Sequence, residues 1–177
     1  MDVRCFYGRF VNAILAYLAP RLGPDARAGL VAAGIDPDSP HDIYRASTFY
    51  AALPVLAAAV APGADPDAAE LALGREVPAA YAGSELGRGL VGYFAQLGVR
   101  ATLLEAQTFF RTGGNFIQVR ATPLGERCIR LHLRGTGGYP HFYRGVLEGA
   151  YHHSGETTVR AALVEHTADA ATFDVTW

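Results

Sequence analysis

No lysine occurs in this 177-residue chain; all fifteen basic side chains are arginine. Arginine keeps its charge and presents a planar fork, which suits anion recognition. A GC-rich coding sequence would leave the same mark, with most of these side chains simply solvated. Cysteine is scarce: Cys5 and Cys128 are the only two. They exclude a disulfide framework and a cysteine-rich zinc site, so a reduced, cytoplasmic setting is expected. The formal net charge is -2, so no positive field draws nucleic acid or an acidic membrane. Long apolar runs are missing too. The most apolar segment, residues 50–61, is broken by Pro54 and is too short to span a bilayer. The first ten residues lack the basic stretch and apolar run of a signal peptide. Local catalytic motifs are also lacking. There is no Gly-x-Ser-x-Gly and no paired Cys and His motif, and Glu105, Glu148 and Glu165 fall on separate elements.

What is present is a globular composition, 50% apolar and 18% charged, in a length that suits one domain over residues 1–177. Residues 1–113 read as helices punctuated by Pro and Gly. A helical period over residues 10–22 sets Phe10, Ile14, Tyr17 and Leu18 on one face. A short helix follows over 25–33, then a Pro-rich loop over 36–40. Ser47 or Thr48 is placed to cap the next helix, with Pro54 beginning a second segment. Asp65-Pro66 opens a further helix. Ser84 caps another, which Gly98 stops, and a last one covers about 100–110.

From residue 114 onward the period changes. Alternation predicts strands over 115–121 and 127–134, joined by a turn at Pro123-Leu124-Gly125. A helix over 140–153 and strands over 157–167 and 171–177 complete the chain. The expected fold class is α+β: an N-terminal helical layer packed on a C-terminal four-stranded antiparallel sheet, in the order strand-strand-helix-strand-strand.

Several residues invite a functional reading beside a plain one. His152-His153, about 100° apart on a helix, cannot chelate one metal as an i, i+4 pair would, and they suit a helix C-terminus. Gly145 and Gly149 form a flat strip that lets the helix approach the sheet, or leaves room for a ligand beneath it. Arg130, His132 and Arg134 share the outward strand face, an anion site or merely a solvated one. Arg111 is positioned to bond the last carbonyls of the helix before Gly113-Gly114.

Certain stretches carry a resemblance. Ala72-Leu73-Gly74-Arg75, Ser84-Glu85-Leu86-Gly87-Arg88 and Phe110-Arg111-Thr112-Gly113-Gly114-Asn115-Phe116 come first. Then follow Phe142-Tyr143-Arg144-Gly145-Val146-Leu147-Glu148-Gly149 and the closing Thr172-Phe173-Asp174-Val175-Thr176-Trp177. In this order they resemble a paralogous domain family of unknown function expanded in myxobacteria. More distantly, residues 129–133 and 143–149 are similar to the end of haem-NO-binding and vinyl-reductase-like domains, in a superfamily shared with trafficking-particle subunits. That likeness implies helices against an antiparallel sheet, with a small ligand held between them. It departs from the haem branch at two places. Residues 103–110 offer no axial His. The Tyr-x-Ser-x-Arg propionate clamp is replaced by Leu131-His132-Leu133-Arg134-Gly135. No cofactor is therefore expected, and no metal.

The leading expectation is a non-enzymatic sensor or adaptor domain that takes a small apolar or aromatic ligand, or a protein partner. Phe94, Phe110, His132, His141 and Tyr143 are its candidate ligand-binding residues. One alternative is a small enzyme on an apolar or aromatic metabolite, using Tyr143, His132 and Glu105. The other is a module that dimerises through its helices.

Overall fold

The computed structural model describes residues 3–153 and 155–177, without the side chains of Glu85, Leu86, Val91, Phe94 and Ala95. Its elements run β1 (Cys5–Tyr7), α1 (Gly8–Leu18), α2 (Pro24–Ala32), β2 (Ile43–Arg45), α3 (Ala46–Val60), α4 (Pro66–Ala82), α5 (Glu85–Leu104) and α6 (Ala106–Gly113). Then come β3 (Gln118–Gly125), β4 (Cys128–Arg134), α7 (Pro140–His153), β5 (Arg160–His166) and β6 (Ala170–Thr176). Helices thus precede a four-stranded antiparallel sheet of order β3-β4-β6-β5, with α7 inserted between its two strand pairs.

Alternation decides which face of this sheet is covered. Ile129, Leu131 and Leu133 of β4 and Phe173 and Val175 of β6 are fully buried. They join one hydrophobic cluster with Phe142 and Val146 of α7 and Phe49, Leu53 and Leu56 of α3. Helix α7 is the middle layer, touching β5 and β6 on one side and packing most extensively on α4.

The motif at residues 110–116 has a structural use. Asn115 takes a hydrogen bond from the Cys5 N–H at its Oδ1 (2.9 Å), while its own N–H and Nδ2 donate to the carbonyls of Cys5 and Val3. It thereby ties β1 to the end of α6. The carbonyl of Thr112 is bonded by Arg9 of α1, where the sequence pointed to Arg111.

Some expectations need correction. Strands β1 and β2 were not foreseen; three residues each are too few to show a period, and they exist only because they pair with one another. Tyr17 is exposed, and the buried face of α1 is Val11, Ile14, Leu15 and Leu18. Helix α3 runs straight through Pro54 and starts at Ala46 without a side-chain cap. Pro54 lies on its exposed side, where water can hydrate the carbonyl one turn back that loses its donor. The β3–β4 turn falls at Glu126-Arg127, leaving Pro123 inside β3, which an edge strand tolerates.

Two other helix signals act as read. Asp65 accepts from the Ala68 N–H (3.1 Å) and Ser84 from the Gly87 N–H (3.1 Å). Gly98 adopts φ 74° and breaks α5 into two segments, a conformation that L side chains rarely adopt.

Candidate functional site: a pocket among helices α4 to α7

The site begins where α4 crosses α7. A Cβ on Gly145 would lie 2.8 Å from the Cα of Gly74, and one on Gly149 would lie 2.5 Å from the Arg75 carbonyl oxygen. The glycine strip therefore admits α4, whereas the sequence assigned it to the sheet. Beside the crossing, the Arg75 guanidinium donates to Glu148 Oε2 through Nη2 (2.6 Å) and Nε (3.0 Å). Arg144 Nε and the Ala161 N–H reach the other carboxylate oxygen at 3.3 and 3.2 Å. The Glu148 side chain is 0% exposed. Burial pushes its pKa up, but the bonds from Arg75 and Ala161 and the charges of Arg75 and Arg144 outweigh it and hold the carboxyl below its ordinary range. One carboxylate thus joins α4, α7 and β5.

At the start of α7, the Glu70 carboxyl rises to about 7 because of burial and the Asp67 charge, opposed by the Phe142 N–H. His141 Nε2 lies 3.4 Å from Asp67 there.

Further along α4 the Ser84-Gly87 turn fixes the position of Tyr81. The Ser84 N–H and Oγ both donate to the Tyr81 carbonyl (2.9 and 2.7 Å), and Arg88 bonds the Gly83 carbonyl (2.9 Å). The ring of Tyr81 meets Phe10 at 5.9 Å, tilted by 65°. Tyr81 is 3% exposed, and its hydroxyl has no hydrogen-bond partner among the described residues.

A cavity of about 130 Å³ opens beside it. Pro78 and Tyr81 of α4, Val99 and Leu103 of α5, Phe109 and Phe110 of α6, and Val146 and Tyr151 of α7 line it, with His153 and Glu156 exposed at its rim. Burial raises the Tyr151 phenol well above its ordinary pKa, so it stays neutral. A second cavity, of about 20 Å³, lies on the inner side and shares Tyr81, Phe109, Phe110 and Val146. It has room for about one water. No strand residue lines the larger cavity, so its walls are helices and not the helix–sheet boundary.

The candidate residues separate accordingly. Phe110 lines both cavities and Tyr143 the smaller one. Tyr143 is fully buried, its hydroxyl 2.7 Å from that of Tyr50, which in turn donates to the Gly135 carbonyl. Burial, then the neighbouring Tyr50, drives its pKa far up. His132 lies on the outer sheet face, Nδ1 2.9 Å from Thr172 Oγ1, which donates to Glu165 (3.2 Å). Beside it Arg130 is bound to Asp174 at 2.7 and 2.8 Å, so this arginine is already paired. His141 stands at the first turn of α7, away from either lining. The Phe94 side chain lies outside the described residues. Tyr143, His132 and the exposed Glu105 do not converge. His152 Nε2 sits 3.2 Å from the Val159 carbonyl and from Arg160 at the end of α7. Among the described residues no cluster of three or more His, Cys, Asp or Glu could hold a metal ion, and no helix is long and apolar enough to cross a membrane.

Phe109, one of the aromatic residues that prompted the ligand reading together with Tyr50, lines both cavities. Sequence reasoning missed Tyr81, Val99, Leu103 and Tyr151. Their only signal is an apolar position on three separate helices, and the packing that gathers them is non-local.

Helices on an antiparallel sheet, with a pocket among the helices, define an α+β domain. Residues 4–177 match the family of proteins of unknown function DUF2378, and the chain belongs to that family. No curated protein sequence matches it. Among solved structures it is similar to a Tt H-NOX double variant, with 13% identity, a TM-score of 0.67 and coverage of 97% of this chain and 94% of the other. It is also similar to the Fe(II) unliganded H-NOX protein from K. algicida (12%, 0.63, 96% and 95%). A third is an oxygen-binding H-NOX domain related to soluble guanylate cyclases, in its oxygen complex (14%, 0.61, 96% and 92%).

Proposed function

We propose that this chain is a small-molecule-sensing domain whose ligand sits in the pocket walled by α4, α5, α6 and α7. The observation that carries the reading is the apolar cavity of about 130 Å³ against α7, the helix that also rests on the sheet. An occupant there presses on Val146, Leu147 and Tyr151, and α7 passes that pressure to β5 through the Glu148–Ala161 bond. The H-NOX neighbours lend the fold, and the sensing role is carried across as part of the proposal.

Haem, the group that the haem-NO-binding resemblance implies, does not fit the described residues. Among the described residues the cavity lining holds no arginine to meet propionates, and His153 lies exposed at the rim. Leu131 and Leu133, where the haem branch carries a hydroxyl clamp, are 0% exposed in the core. The volume is below the roughly 300–1,000 Å³ of pockets for drug-sized ligands, and a macrocycle is larger still.

Native mass spectrometry and absorption spectra of the purified protein test this. A small organic guest without a porphyrin band is the expected result. A protein that carries no guest and takes up neither xenon nor benzene would overturn it.

A further inference from the structure

Resting on that reading, we infer the class of ligand: a neutral, single-ring aromatic molecule bearing one hydrogen-bonding group, which pairs with the hydroxyl of Tyr81. Three observations converge on this class.

The first is size. A cavity of about 130 Å³ is close to the ~150 Å³ of an apolar cavity known to admit benzene. A single ring matches this volume.

Shape and surface are the second. Four aromatic rings, Tyr81, Phe109, Phe110 and Tyr151, contribute to the wall, with aliphatic Val99, Leu103, Val146 and Leu147 beside them and the Thr102 hydroxyl turned to the Gly98 carbonyl. Aromatic walls add edge-to-face and offset contacts to a flat guest, beyond its area burial. Among the described residues no arginine lines the interior, and the ionisable side chains of the lining, Glu156 and His153, lie exposed at the rim. A charged guest would be stripped of water with nothing opposite to receive it.

The third is the Tyr81 hydroxyl itself. Buried polar groups are almost always hydrogen-bonded, and a buried orphan is costly. Tyr50 and Tyr143 satisfy each other and the Gly135 carbonyl, so the aromatic interior does pair its other hydroxyls. Tyr81 is the phenol left without a partner among the described residues, and it lines both cavities. The turn at Ser84 and Gly87 holds its backbone in place, so the ring is presented by a fixed helix end. A hydroxyl or carbonyl on the guest completes the bond that Tyr81 lacks among the described residues.

The test uses calorimetry and ligand-observed NMR with benzene, phenol and benzoate on the full chain, its Tyr81→Phe variant and its Ala150→Phe variant. Phenol is expected to bind the unaltered chain about tenfold more tightly than benzene, the upper range for one hydrogen bond. Tyr81→Phe is expected to erase that preference and leave benzene unchanged, while Ala150→Phe, which fills the pocket, abolishes both. Benzoate is expected not to bind. Equal binding of phenol and benzene in both Tyr81 forms overturns the ligand class and leaves the pocket reading standing, as water would then satisfy the hydroxyl. Benzoate binding as tight as phenol also overturns the class. If no probe binds, or Ala150→Phe changes nothing, the pocket reading itself falls.

Discussion

The Arg75 guanidinium, on α4, holds the fully buried Glu148 carboxylate of α7 at 2.6 and 3.0 Å, one residue from the point where Gly74 touches Gly145. Steric fit and charge are thus paired at a single crossing. Removing one partner of a buried pair costs more than the pair contributes, because the other charge is left uncompensated. Arg75 is 45% exposed and Arg144 and the Ala161 N–H remain. Arg75→Met is therefore expected to cost about 2 kcal/mol in urea unfolding, less than the roughly 3–5 kcal/mol for a fully buried pair. Arg144→Met, with its 3.3 Å contact, should cost less than 1 kcal/mol.

The glycines of the crossing face backbone, which cannot rotate away as a side chain can. Gly145→Ala places a methyl 2.8 Å from Gly74 Cα and forces α4 and α7 apart. A loss of roughly 3 kcal/mol or failure to fold is expected, from strain of the overpacking kind. Gly89→Ala in α5, whose Cβ would meet nothing within 4 Å, should instead gain about 0.5–1 kcal/mol. Thermal melts of the two variants give opposite signs if α4–α7 contact is the cause.

Glu70 makes stability depend on pH in an unusual direction. Its folded pKa of about 7 exceeds that of the free carboxyl, so between pH ~4.5 and ~7 the folded state holds the proton that the unfolded chain releases. Its contribution is full below that window and is lost as pH rises through it. Glu148 and Asp174, with lowered pKa values, act oppositely and lose their contributions as pH falls. Denaturant midpoints measured from pH 4.5 to 7.5 should fall less steeply, or rise, in Glu70→Gln relative to the unaltered chain.

Tyr81→Phe also has a consequence without ligand. It deletes a buried hydroxyl that no described residue satisfies, so the empty protein should become more stable, by about 1 kcal/mol. A melt showing destabilisation would mean the hydroxyl is bonded in solution.

Local chemistry made much of the fold legible. Alternation at residues 128–134 named the buried side of β4, and Asp65, Ser84 and Gly98 marked helix boundaries through caps and a left-handed turn. The pocket was less so. Phe110 was selected as an aromatic near the layer boundary and does line it, but His132, on the same alternating strand as Leu131, faces the other side. His141 was chosen by its place on α7, which does not say which neighbour that face meets.

Period, capping and composition depend on residues near in sequence, so the sequence alone determined helices followed by a strand-strand-helix-strand-strand sheet, and the likeness in its motifs. Which residues sit one turn apart on α7 was readable; that Gly145 and Gly149 admit α4 rather than the sheet was not. The pairing of Arg75 with Glu148, the orphaned hydroxyl of Tyr81 and the cavity beside it join positions tens of residues apart. Only the tertiary structure decided them, because burial and partnership arise when separate helices pack.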